Sequence, residues 1–342
     1  MGLTKVREAL GFMRDHVASA PEAVLSSRDI TVYLTNLNAP LAASPDARCS
    51  LHCGSGYDEA VSINAPPSEE ATMSTFKTND GVEIYYEVTG EGRPLFMLPG
   101  WTCTTNFWKH NVAELAKTCK VICMDMRGHG ESEKVLHSHR ISRYAMDVKN
   151  LLDYLDLEDV TVLGWSMGAS ILWSYLELFG NHRVSGLVCV DQSPAQYTGP
   201  DWVWGQKGCY DMEMFIRTCY DIKYNPRGAA EGLVGACLHH EPTPEDATFI
   251  ADEISKCPPY VRIEIMRDHT NLDWRDFIPQ IKLPTLVCVA RNSNVFDWHG
   301  SAWVGEHIEG ARTEFFEDSG HMLFWEEPEK FNRLVAEFVA EH

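Results

Sequence analysis

"VTVLGWSMGAS" (residues 160–170) joins an apolar run to the pattern Gly-x-Ser-x-Gly, in which Ser166 is the central residue. The apolar run is typical of a buried strand, and the following "ASILWSYLELF" (169–179) is typical of a helix. A serine in a sharp turn between a strand and a helix projects its hydroxyl above the sheet. The helix N-terminus behind it favours developing negative charge. The sequence therefore predicts that Ser166 is a catalytic nucleophile.

Further strand candidates lie on both sides of this motif, and helical segments separate them. Four of them are "LFML" (95–98), "VICMD" (121–125), "GLVCVD" (186–191) and "TLVCVA" (285–290). Strands that are apolar throughout and alternate with helices form a mostly parallel sheet that helices cover on both faces. An antiparallel hairpin is predicted before them in "TFKTNDGVEIYYEV" (75–88), because alternating residues flank a turn of Asn-Asp-Gly.

The regular pattern covers only part of the chain. It begins near residue 73, so residues 1–72 are predicted to be an N-terminal extension of unknown function. Residues 195–279 are rich in Trp, Tyr and Met and are too long for a loop, which predicts a helical cap inserted into the sheet domain. The core is then expected to consist of residues 73–194 and 280–342, with the cap over the carboxyl ends of the strands.

Composition and charge exclude several classes of function. The formal charge of −20 opposes binding to nucleic acid or to an anionic membrane surface. No apolar run approaches the ~20 residues that a membrane span needs. The N-terminus alternates basic and acidic residues, unlike a targeting peptide, and the 11 cysteines are an odd number in mostly apolar contexts. We therefore expect a cytoplasmic protein. Whether it forms a homodimer is an open question at this point.

One short segment raises the question of a metal site. Cys49, His52 and Cys53 lie close together in "CSLHC", but no second pair of ligands follows at the spacing of a zinc site. We expect no metal there.

Four segments of the chain carry a resemblance to a known family. They are "LPGW" (98–101), "DMRGHGES" (125–132), "GWSMG" (164–168) and "DSGHMLFWEEPEKF" (318–331). In these segments the chain resembles the α/β-hydrolase superfamily over residues 75–342, and within it the capped, cofactor-free haloperoxidase-like esterases.

The resemblance implies roles for individual residues. The backbone N–H groups of Trp101 and Met167 would form an oxyanion hole, and His321 would be the catalytic base. Pro99 stands where the superfamily usually has a histidine, while Gly100 still allows the backbone to turn. "DMRGHGES" is expected to be structural.

The position of the third catalytic residue departs from the family pattern. The family places an acid three residues beyond the small residue that ends the strand, and counting from Ala290 gives Ser293. Three alternatives follow. The acid is Asp191 at the end of "GLVCVD", or Asp297 later in the same loop, or no acid exists. We favour Asp191, because the end of a strand is a rigid position.

These features predict a serine hydrolase. The expected reaction is hydrolysis of an ester, lactone or thioester of a hydrophobic small molecule through an acyl-serine intermediate, without metal or organic cofactor. A non-hydrolytic or carbon–carbon bond-cleaving enzyme of the same fold stays open, because a fold does not determine a substrate. A catalytically silent receptor that binds a ligand in the same pocket is the alternative from another class.

Overall fold

The computed structural model describes residues 72–207 and 211–342. The predicted extension 1–72, apart from its last residue, and the "CSLHC" segment lie outside the described residues. Within the described ranges, no helix is both long enough and apolar enough to cross a membrane.

A single eight-stranded sheet organises the described part of the chain. Its strands are β1 (Thr72–Lys77), β2 (Glu83–Thr89), β3 (Arg93–Leu98), β4 (Cys119–Met124), β5 (Val160–Trp165), β6 (Val184–Val190), β7 (Thr285–Ala290) and β8 (Arg312–Phe316). Their spatial order is β1-β2-β4-β3-β5-β6-β7-β8. The pairs β1–β2 and β2–β4 are antiparallel, and all other neighbours are parallel. The mostly parallel sheet and the N-terminal hairpin are both confirmed.

Helices connect the strands. They are α1 (Val112–Leu115), α2 (Ile141–Tyr154), α3 (Met167–Phe179), α4 (Met212–Tyr224), α5 (Pro226–Cys237), α6 (Pro244–Ser255), α7 (Pro259–Thr270), α8 (Trp298–His307), α9 (Leu323–Glu326) and α10 (Pro328–Glu341), with short 3₁₀ turns at Thr105–Trp108 and Ile278–Gln280.

Two hydrophobic cores lie on opposite faces of the sheet. In β3, Phe96 and Leu98 belong to one core, which the buried sides of α2, α3 and α8 complete. Leu95 and Met97 of the same strand belong to the other, together with residues of α5, α6 and α10. Because neighbouring side chains of a strand point to opposite faces, both faces of β3 are covered. The prediction of an α/β fold with helices on both faces is confirmed.

Four helices, α4 to α7, lie between β6 and β7 within the predicted cap, and we call them the inserted helices. Three of them begin with a proline at a first-turn position, namely Pro226, Pro244 and Pro259. Proline fits there because its fixed φ suits the helix and the N–H that it lacks would have no partner. The proline-containing segments "EPTPED" (241–246) and "CPPY" (257–260) therefore contain helix starts.

The "DMRGHGES" segment after β4 has structural contacts. Arg127 is completely buried, and its Nε and one Nη donate to the two carboxylate oxygens of Asp147, both at 2.6 Å. Burial lowers the pKa of His129 to about 3, so its imidazole is neutral. Its Nδ1 lies 3.1 Å from the carbonyl oxygen of Arg127. The segment braces the fold, as the sequence predicts.

Candidate active site

The turn after β5 holds Ser166 in a backbone conformation that few residues adopt. Its φ is 54° and its ψ is −127°. Strand and helix approach so closely here that a Cβ on Gly164 would lie 2.5 Å from the amide nitrogen of Ala169. A Cβ on Gly168 would lie 2.5 Å from the carbonyl oxygen of Leu98. Both glycines of the motif are therefore required by packing, and the strained serine is held between them.

The serine lies at the edge of a cavity. Ser166 is 8% exposed, and it lines the cavity together with His321. Its Oγ forms no hydrogen bond with any residue that the structure describes. Hydrogen bonds of a nucleophile are often long or absent until the substrate binds.

The two predicted oxyanion residues flank Ser166. Met167 begins α3, where helical amides have no carbonyl partner. Trp101 follows Gly100, and a Cβ on Gly100 would lie 3.1 Å from the Cβ of Ser166. The indole Nε1 of Trp101 donates to the carbonyl oxygen of Arg262 in α7, at 3.1 Å. The inserted helices thus hold the Trp101 side chain beside the serine.

His321 is buried and held from several sides. Its Nδ1 lies 2.7 Å from Oδ2 of Asp191. Its carbonyl oxygen accepts a hydrogen bond of 3.0 Å from Nε1 of Trp165, the residue before the serine. The ring of Phe296 packs edge-on against the imidazole, with centroids 5.5 Å apart. With Nδ1 engaged, Nε2 is the nitrogen that can exchange a proton with a nucleophile.

Asp191 directly follows β6 and is completely buried. Its φ of 41° is unusual for a residue other than glycine. Its second oxygen, Oδ1, accepts a hydrogen bond of 3.0 Å from the hydroxyl of Ser301 in α8 and a long one of 3.4 Å from the amide of Ala290. Its own amide donates to the carbonyl oxygen of Cys288 in β7, at 2.9 Å. Backbone and carboxylate are both held in place.

In the loop after β7, the polar side chains of Ser293 and Asp297 accept hydrogen bonds from nearby backbone amides. The hydroxyl of Ser293, at the usual acid position, accepts from the amides of Val295 and Phe296 at 3.3 and 3.2 Å. Asp297 caps α8, where its carboxylate accepts from the amide of His299 at 3.0 Å. The structure brings Asp191 to His321, and it places the carboxylate of Asp297 in an exposed helix cap.

The cavity beside Ser166 has a volume of about 190 Å³. Most of its wall is apolar, and the large side chains are Trp101, Phe107, Leu233, Met266, Val295 and Phe296. Polar groups also reach the wall. His269 of α7 is one of them, and burial lowers its pKa to about 3, so it is neutral. A small apolar molecule with few polar groups fits such a wall.

Residues that could hold a metal ion lie outside this cavity. Among the described residues, His239, His240 and Asp318 are exposed and each offers one ligand atom, with all three atoms within 4.8 Å of one another. None of them lines the cavity.

Some contacts of the site have no signal in the local sequence. Ser301 is one serine among many in the chain, and nothing in its neighbours predicts a hydrogen bond to Asp191. The sequence predicts only that Trp165 is a strand residue, yet its Nε1 donates a hydrogen bond to the carbonyl oxygen of His321. Such contacts join segments that are far apart in sequence, so local pattern does not predict them.

Comparison with known proteins agrees with the architecture. The model of a family with the α/β-hydrolase fold matches residues 93–239. An AB hydrolase superfamily protein, YisY of Bacillus subtilis (strain 168), is 26% identical over 267 residues, which cover 77% of this chain and 97% of that protein.

Two further similarities concern named enzymes. The non-heme chloroperoxidase CPO-A1 of Kitasatospora aureofaciens is 35% identical over 123 residues, which cover 36% of this chain and 45% of the relative. The structure of the esterase EaEST from Exiguobacterium antarcticum superposes with a TM-score of 0.75 at 25% identity. That superposition covers 79% of this chain and 100% of the esterase.

Proposed function

Because this chain belongs to the α/β-hydrolase superfamily, we propose that it is a serine hydrolase that cleaves an ester, lactone or thioester bond of a hydrophobic small molecule. The observation that carries the proposal is the buried hydrogen bond of 2.7 Å between His321 and Asp191, beside a cavity that Ser166 also lines. A nucleophile, a base and a group that orients the base are the parts that acyl transfer needs.

In the first step, Oγ of Ser166 attacks the acyl carbon while Nε2 of His321 accepts the hydroxyl proton. The carboxylate of Asp191 keeps the proton of the imidazole on Nδ1 and stabilises the imidazolium that forms. The negative charge on the former carbonyl oxygen is stabilised by the amides of Trp101 and Met167. One such donor contributes roughly 2.7–4 kcal/mol to the stability of the transition state.

In the second step, the imidazolium of His321 protonates the leaving group, and the acyl group stays on Ser166. Water then enters, His321 removes its proton, and the attack of water on the acyl-serine releases the acid and restores the hydroxyl. Every proton that leaves a nucleophile returns to a leaving group through the same imidazole.

The cavity limits the substrate. A volume of about 190 Å³ is smaller than the ~300–1,000 Å³ of sites for drug-sized ligands. Its apolar wall favours a short hydrocarbon chain or a small ring. We propose that the inserted helices act as the cap of the enzyme, since Leu233 in α5 and Met266 in α7 supply part of this wall.

A fluorophosphonate probe tests the proposal directly, because it reacts with a serine that an adjacent base activates. The native chain should be labelled at Ser166, and p-nitrophenyl esters of short acids should be hydrolysed. Ser166→Ala should lose both. Ser174→Ala is the matched control, since Ser174 is a buried serine of α3, the helix that follows Ser166, and it should keep both.

Two other results would contradict the proposal. No labelling of the folded native chain would favour a silent receptor. Labelling without turnover of any ester, lactone or thioester would favour cleavage of another kind of bond.

A further inference from the structure

We propose that Glu326 is a positioning residue that ties the C-terminal end of α5 to the loop of His321. Contact of a substrate with α5 would thereby help to orient the catalytic base. This inference rests on the proposed serine-hydrolase function.

The carboxylate of Glu326 joins two segments that are far apart in sequence. Its Oε1 accepts from the amides of His239 and His240, just after α5, at 2.9 and 2.8 Å. Its Oε2 accepts from the amide of Gly320, the residue before His321, at 2.6 Å. Three N–H groups therefore share one carboxylate, and hydrogen bonds to a charged acceptor are stronger than neutral ones.

The residue after His321 is held by the same junction. The amide of Met322 donates to the carbonyl oxygen of Cys237, the last residue of α5, at 2.9 Å. Both neighbours of His321 are thus hydrogen bonded at the end of α5, one directly and one through Glu326. A shift of this end would move the backbone on each side of the base.

The two segments approach as closely as a backbone allows. A Cβ on Gly320 would lie 2.6 Å from the amide nitrogen of His239 and 2.8 Å from the carbonyl carbon of Leu238. Real Cβ atoms do not approach other atoms so closely, so only glycine fits at position 320 without a shift. The junction is therefore a direct contact between two backbone segments.

The C-terminal turns of α5 connect the junction with the substrate. Leu233, Ala236 and Cys237 of α5 line the cavity beside Ser166. A ligand in the cavity therefore touches the helix whose C-terminal end Glu326 holds. Between a ligand in the cavity and His321 lie helix α5, the carboxylate of Glu326 and the peptide unit of Gly320.

The variants Glu326→Ala and Glu326→Gln test this role. Loss of all three hydrogen bonds in Glu326→Ala should lower kcat by roughly 10- to 10²-fold, because small displacements of catalytic groups have effects of this size. The KM should change less. Glu326→Gln should be intermediate, since its amide has only one oxygen that accepts. Glu329→Ala removes an exposed carboxylate of the next turn and should leave kcat unchanged.

A second measurement separates positioning from general stability. The proton on Nδ1 of His321, shared with Asp191, should give a low-field ¹H NMR signal in the native protein. The signal should broaden or vanish in Glu326→Ala and persist in Glu329→Ala. If Glu326→Ala does not fold, the nearly isosteric Glu326→Gln supplies the comparison.

The inference fails if Glu326→Ala, or Glu326→Gln in its place, keeps the native kcat and the native low-field signal. Failure of the proposed function would look different. The native chain itself would show no labelling and no turnover, while the NMR signal would still report whether Glu326 orients His321.

Discussion

Two aspartate–histidine pairs, each joined through Nδ1 of the histidine, have the same length but lie in different surroundings. Nδ1 of His321 lies 2.7 Å from Asp191, and Nδ1 of His299 lies 2.7 Å from Asp297. The side chains of the first pair are 4% and 0% exposed, whereas those of the second are 47% and 40% exposed. Distance alone therefore does not distinguish a catalytic pair from a surface pair.

The two pairs differ in the burial of the carboxylate and in the hydrogen bonds that hold it. In the first pair, Ser301 donates to the second oxygen of Asp191, and no solvent competes for the carboxylate. In the second pair, partial burial acts to raise the pKa of Asp297, but hydrogen bonds from the amide and the ring of His299 lower it. Its carboxylate caps a helix. An acid at the end of a strand is fixed before the substrate arrives, and fixed charges stabilise a transition state without reorganisation.

The largest effect is expected from Asp191→Asn. Asparagine is nearly isosteric, but its amide can donate to Nδ1 and so favour the imidazole tautomer that carries its proton on Nε2. Steady-state kinetics on a short-chain ester should show a kcat about 10²–10⁴-fold lower with a modest change in KM. A variant as fast as the native enzyme would show that His321 needs no carboxylate.

A smaller effect is expected from Ser301→Ala, which leaves Oδ1 of Asp191 without its hydroxyl donor. A hydrogen bond to a charged group contributes about 1.5–3 kcal/mol, so kcat should fall by roughly 10-fold when part of this support is lost. Ser174→Ala, another buried serine in a helix, is the control in the same assay. Equal rates for the two variants would mean that Asp191 holds its position without Ser301.

The smallest effect on turnover is expected from Asp297→Asn. Asparagine is also a good helix cap, so both the melting temperature and kcat should stay close to the native values. Loss of turnover in this variant, with native turnover in Asp191→Asn, would show that the exposed pair and not the buried pair acts in catalysis.

The sequence predicts the fold well and identifies Ser166 and His321 as candidate site residues, because the relevant signals are local. The apolar strand before Ser166 and the helix after it lie within "VTVLGWSMGAS", and the packing of Gly164 and Gly168 follows from that short motif. The parallel sheet follows from repeated apolar runs separated by helices, and the structure confirms it.

The sequence favours Asp191 over Asp297 only through the rigidity of a strand end, because local pattern does not show which carboxylate lies beside His321. The choice depends on which side chain the neighbouring strand and α8 bury, a contact between distant segments. The contacts of Ser293 likewise cannot be predicted from the local sequence. Its hydroxyl accepts from the amide of Phe296, whose ring packs against His321, so the usual acid position here contacts His321 indirectly through an aromatic ring.

The most direct test of a catalytic acid at the end of β6 is the low-field ¹H NMR signal of the proton between His321 and Asp191. The spectrum of the native enzyme should contain this signal, because the pair is buried and exchange with water is slow. Asp191→Asn should remove it, and Asp297→Asn should leave it unchanged. A signal that survives in Asp191→Asn and disappears in Asp297→Asn would contradict the account and place the acid in the loop after β7.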